Sequence, residues 1–205
     1  MGTLSGLLFS VLIANPVSPG VFGQVFQNNK ASVLLVKTGQ EGKKFTTGFV
    51  VGARGEFVFG LPKGISSKSP VFVKTATGAW LRTRVISKNP ELQVGLGRIQ
   101  GNRVGQFTPL RIGQSHALKS EDWLVVLAHD DEGSSEPFAG TLRARVKSSE
   151  RPMRLDLDIP GDRGSPVFST RGDWVGVVHR PGRRKSKAWT VETIVQFLKG
   201  VSLDQ

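Results

Sequence analysis

The chain has no cysteine in its 205 residues, which excludes disulfides, thiolate catalysis and Cys-based metal sites. Tyrosine is also absent. Long helical patterns are missing, and no apolar run reaches the length needed to span a bilayer. Acids are scarce: 16 Asp and Glu face 28 Lys and Arg, for a formal charge of +12. That balance favours polyanionic or acidic partners and steers encounters without deciding the fold.

What is present is turn-forming residues, with 25 Gly and 11 Pro, and 38% apolar residues, enough for a core. Short β-branched runs separated by Gly, Pro and Asn predict an all-β protein. Strands are expected at Ala31–Thr38, Phe45–Gly52, Glu56–Phe59, Val71–Ala76, Trp80–Ile86, Leu92–Ile99 and Thr108–Ile112. Thr77-Gly78 makes a hairpin of the fourth and fifth. Further strands are expected at Trp123–Ala128, Phe138–Val146, Met153–Leu157, Ser165–Phe168 and Trp174–His179. One helix is expected, Val191–Lys199, with Thr190 as its N-cap. The aromatic residues read as core.

Leu4–Ala14 is an apolar run about as long as the core of an export signal, though no Lys or Arg precedes Lys30. An export signal, a lipid-facing anchor and a packed strand or helix are the three readings, and export is preferred. The expected location is therefore periplasmic or secreted, with the cytoplasm left open. Asn15–Gly20 reads as a turn or linker.

Pro160–Val167 (PGDRGSPV) carries the most information. It resembles the block around the nucleophile of trypsin-like serine peptidases, particularly the HtrA type. There, glycines let two N–H groups turn into one space as an oxyanion hole. Gly161, Asp162, Gly164 and Pro166 fit that block, but Arg163 stands where the resemblance implies the serine. Thr46–Val51 and Phe57–Ile65 are similar to the strands leading to the catalytic histidine, which puts Lys63 at its position. Pro90–Ile99 resembles the segment bearing the aspartate and puts Gln93 there. Pro109–Ala128, Phe138–Val146, Gly172–His179 and Ala188–Leu198 continue the resemblance in order.

The resemblance implies two six-stranded β-barrels with a short C-terminal helix. The expected division is an apolar segment and linker over 1–24, an N-terminal barrel over 25–115, and a C-terminal barrel with the helix over 116–205. It also implies that Lys63, Gln93 and Arg163 are a degenerate triad and that the chain has no catalytic residue. A guanidinium is no nucleophile, and a carboxamide cannot hold an imidazolium as a carboxylate does. Gly161, Asp162 and Gly164 would be a vestigial oxyanion turn. No spacing supports a metal, and no cofactor is expected.

The leading expectation is thus a non-catalytic binding, regulatory or scaffolding protein whose partner is a protein or peptide of acidic character. Lys63 and Arg163 would need an anion beside them, from Asp162, Glu91 or a ligand. His179, Arg180, Arg183, Arg184 and Lys185 are the candidate ligand contacts, with Arg143, Arg145 and Lys147 as a further basic strand. His179 is read either as a pocket wall or as a solvated strand end. Two alternatives stay open: a hydrolase using Ser165 with His129 or Lys63, and a polyanion-binding module. Nucleic acid has no recognition signature here.

Overall fold

The computed structural model describes residues 18–38, 44–62, 70–75, 78–101, 107–129, 134–147 and 152–201. Twelve strands form two closed antiparallel barrels. The first runs in the order β1-β2-β3-β6-β5-β4 and the second β10-β11-β12-β9-β8-β7. In the first, β1 is Val33–Thr38, β2 Lys44–Val50, β3 Glu56–Gly60, β4 Val71–Lys74, β5 Trp80–Asn89 and β6 Val94–Ile99. In the second, β7 is Trp123–His129, β8 Ser135–Val146, β9 Arg154–Leu157, β10 Pro166–Ser169, β11 Trp174–Arg180 and β12 Ser186–Thr190. The expected all-β double barrel is therefore the fold.

The period-two pattern does this work. Leu34 and Val36 of β1, Val71 and Val73 of β4 and Leu81 of β5 fill the first barrel. Leu124 and Val126 of β7 and Leu155 and Leu157 of β9 fill the second. A third buried cluster lies between the barrels. It joins Phe49, Val58, Val94 and Leu96 of the first to Val125, Phe168, Trp174 and Val177 of the second. Phe49 and Trp174 meet there with ring centroids 4.9 Å apart.

Several expectations need correction. There are two α-helices among the described residues, not one: α1 (Pro19–Asn29) precedes the barrels, and α2 (Val191–Lys199) closes the chain. Helix α1 starts inside the stretch read as a linker, with Pro19 pre-set for a first helical turn. Gly20, Gly23 and the lack of charge gave it no helical signature. It packs on β7 and β8, where Phe22 meets Trp123 at 5.4 Å. Thr108–Ile112 is not a strand; only Ile112 pairs, in a single bridge to Trp174. Strand β12 was missed because it begins inside the basic run Arg180–Lys187. Thr190 does sit at the N-cap of α2, but its hydroxyl meets that of Thr193 at 3.0 Å and caps no backbone N–H.

The aromatic residues are not all core. Phe45 is 52% exposed, Trp80 43% and Trp123 41%. Each lies on an outward position or strand end, where the pleat turns it from the barrel interior.

Candidate functional site

The turn after β5 begins the site. Asn89 Oδ1 accepts a hydrogen bond from the Leu92 N–H at 2.9 Å, closing the Asn-Pro-Glu-Leu turn. Gln93 follows in the left-handed region (φ 57°), and its carbonyl accepts from the Leu61 N–H at 2.8 Å. This fixes its backbone and aims its side chain at the second barrel.

Arg163 meets it from the other side. The Ser165 N–H donates to the Asp162 carbonyl at 3.1 Å, making the Pro-Gly-Asp-Arg-Gly segment a tight turn. The Arg163 carbonyl accepts from the Thr47 N–H of β2 at 3.0 Å. Two glycines permit that approach. A Cβ on Gly60 would lie 2.5 Å from the Arg163 carbonyl carbon, and one on Gly164 would strike the Thr47 carbonyl and the Gly60 N–H. Gly164 also has φ 87°. With the backbones locked, the Arg163 guanidinium donates through Nη1 to Gln93 Oε1, across 70 residues of sequence. Burial lowers the Arg163 pKa.

The structure thus brings Gln93 and Arg163 together. Lys63 lies outside the described residues. The described partner of the Arg163 guanidinium is a neutral carboxamide.

A second pair stands behind the first. The Trp189 indole donates to the Leu92 carbonyl at 2.7 Å, tying β12 to the turn that carries Gln93. His179 stacks on Trp189 with ring centroids 4.0 Å apart and planes inclined by 13°. Half-buried against that ring, it is not a freely solvated strand end. Burial, and after it the charges of Arg163, Arg154, Arg180 and Lys187, lower its pKa to about 4. The imidazole is therefore neutral at physiological pH, and its buried Nε2 has no hydrogen-bond partner. Sequence reasoning missed Trp189 altogether; an isolated Trp in a short apolar strand gives no sign of an inter-barrel bond.

The other candidates are dispersed. Arg180 ends β11, and Arg183 and Arg184 are exposed in the following loop. Lys185 pairs with Asp158 at 3.5 Å. Arg183 lines a cavity of about 330 Å³ with His129, Phe138, Gly161 and Asp162. Gly161 and Gly182 form an isolated antiparallel bridge beside it. Arg145 lies elsewhere, donating to the His116 carbonyl at 2.6 Å.

Ser165 is fully buried, and its hydroxyl has no hydrogen-bond partner. Both nitrogens of His129 face other hydroxyls: Nδ1 lies 3.3 Å from Thr47 Oγ1 and Nε2 3.1 Å from Ser135 Oγ. His129 is the last residue of β7. Among the described residues no cluster of His, Asp and Glu could hold a metal ion, and no helix is long and apolar enough to cross a membrane.

The chain is similar to "Probable periplasmic serine endoprotease DegP-like" of Pseudomonas fluorescens, 22% identical over 144 residues, which are 67% of this chain and 29% of that protein. It is similar to the protein so named in Ectopseudomonas mendocina at 24%, over 67% of this chain and 30% of the other. The chain thus spans about a third of the length of these curated relatives. Among solved structures, HtrA-type protease AlgW with tripeptide superposes with a TM-score of 0.76 at 10% identity, covering 87% of this chain and 62% of that one. Deg5 superposes at 0.71 with 16% identity, covering 86% and 91%. These structural likenesses establish the fold. A sequence model of the trypsin-like peptidase domain matches residues 40–177, so the chain belongs to the trypsin-like peptidase domain family.

Proposed function

We propose that this chain is a non-catalytic member of its family that binds a protein or peptide bearing acidic groups at the cleft between its barrels, in a regulatory or scaffolding role. The observation that carries the reading is the bond from the Arg163 guanidinium to Gln93. Arg163 occupies the family's nucleophile position in the Pro-Gly-Asp-Arg-Gly block, and its side chain is spent on a neighbour that cannot serve as a catalytic carboxylate.

The surroundings support the same reading. The charges of Arg163, Arg180 and Lys187 act on a neutral His179, while Arg154 is paired with Asp156, and this excess of cations suits a carboxylate. Ser165 is sealed in the core, and His129 is directed at Thr47 and Ser135, so neither supports a displaced catalytic pair. Periplasmic residence belongs to the proposal, on the strength of the Leu4–Ala14 run and the periplasmic designation of its relatives.

The test is a serine-directed fluorophosphonate probe on the full chain. No covalent labelling is expected. Labelling that disappears in Ser165→Ala would overturn the reading and make the chain a hydrolase.

A further inference from the structure

The outer wall of the first barrel carries a surface that the cleft does not use. Lys37 of β1 pairs with Phe45 of β2 on one side and with Phe72 of β4 on the other. Lys74 pairs with Trp80, and Phe72 with Arg82 of β5. Phe45 and Trp80 stand out of the wall, 52% and 43% exposed, with ring centroids 6.4 Å apart. Lys37 Nζ lies 5.8 Å from the centre of the Trp80 ring. Strands β2, β1, β4 and β5 are contiguous in the barrel, and their sequences contain six Lys and Arg and not one Asp or Glu.

Exposed aromatic rings cost free energy in water, and two in contact on an acid-free wall need a partner that is both apolar and anionic. A bilayer surface offers both within a few ångströms of depth. Phe and Trp rest at the level of the headgroups, while Lys and Arg reach the lipid phosphates. A barrel wall is convex and meets a flat surface through the tips of its longest side chains, which here are these aromatics and cations. A stacked base fits less well, because Lys37 already lies over the Trp80 ring. The chain's other apolar feature, Leu4–Ala14, is too short to span a bilayer, and a single short apolar segment attaches only reversibly without a second contact.

We propose that the face formed by Phe45, Trp80, Lys37, Lys74 and Arg82 docks on an anionic bilayer surface. The proposal is independent of the cleft and of whether the chain is catalytic.

The experiment is co-sedimentation of the full chain with vesicles of phosphatidylcholine, with and without phosphatidylglycerol. Binding is expected only to the anionic vesicles, and it weakens steeply at about 1 M salt, where charges are screened within a few ångströms. Phe45→Ser with Trp80→Ser, and separately Lys37→Glu with Arg82→Glu, each weaken binding at least about tenfold. Phe45, Trp80 and Arg82 are exposed and Lys37 points outward, so the thermal midpoint of both variants should stay close to that of the parent; this is the folding control. Failure of the parent chain to bind anionic vesicles overturns the proposal. So does undiminished binding by either double variant, which would assign attachment to Leu4–Ala14. Binding of single-stranded oligothymidine that is lost in Phe45→Ser/Trp80→Ser, with vesicles ignored, also overturns it and assigns the face to nucleic acid.

Discussion

The Trp189 indole N–H donates to the Leu92 carbonyl at 2.7 Å, so a strand of the second barrel holds the turn by which the first presents Gln93 to Arg163. Trp189→Phe keeps most of the ring and removes the donor. A buried carbonyl is then left without its partner, at a cost of about 1–3 kcal/mol. Urea unfolding of the two proteins measures the loss.

Gly164 and Gly78 share a left-handed backbone, with φ of 87° and 83°. A Cβ on Gly164 collides with the Thr47 carbonyl and the Gly60 N–H, whereas one on Gly78 meets nothing within 4 Å. Gly78→Ala should therefore cost only the conformational penalty of about 1–2 kcal/mol. Gly164→Ala pays that and also forces the barrels apart, so its loss should be clearly larger, by about another 1–3 kcal/mol. Equal losses from thermal unfolding would contradict the close contact.

His179 titrates at about 4 in the fold, against an ordinary value of 6.5. Between these values the unfolded chain takes up a proton that the native chain does not. Stability contributed by the neutral ring is complete above pH 6.5 and is lost as pH falls towards 4. His179→Phe should flatten this part of the stability profile. Arg163→Met removes the largest single charge acting on the ring, and NMR titration should show the His179 pKa rising towards 6.5.

Glu192 at the start of α2 grips the segment between the barrels. Its carboxylate accepts from the Ser115 N–H at 2.8 Å and the Ser115 hydroxyl at 2.5 Å, with His116 Nδ1 at 3.5 Å. Burial raises the pKa, but these hydrogen bonds outweigh it and hold the group below its ordinary 4.5. The stabilisation is present above pH 4.5 and is lost as pH falls through the lower native value. Glu192→Gln should lose about 1–2 kcal/mol at neutral pH. It should also show a shallower acid limb in denaturation followed by circular dichroism.

The strands were legible where apolar residues either alternate or run unbroken, as in Val33–Val36 and Leu124–Ala128. Helix α1 was not, because Gly20 and Gly23 lower helix propensity and tertiary packing on Trp123 supplies what local sequence lacks. Of the site, Gln93 and Arg163 were legible by position in a motif, but their bond was not. The charge of Arg163 says only that it suits an anion, whereas the left-handed backbone at Gln93 decides which side chain reaches it. His179 and Trp189 lie on adjacent strands whose pairing the sequence does not state. The exposure of Phe45 and Trp80 was hidden for a related reason: an aromatic on the outer side of a pleat reads like one on the inner side until the register is known.

Among the described residues, the buried cluster joining the barrels and the two helices holds sixteen apolar residues, against eleven and nine in the clusters centred within each barrel. Neither half of the chain encloses that largest cluster by itself. A chain cut between β6 and β7 would leave each fragment with Phe49 or Trp174 and their neighbours open to water. The two barrels are therefore expected to unfold together, as one transition in urea. The contact of Arg163 with Gln93 joins the two barrels beside this cluster, to which the neighbouring Leu92 belongs.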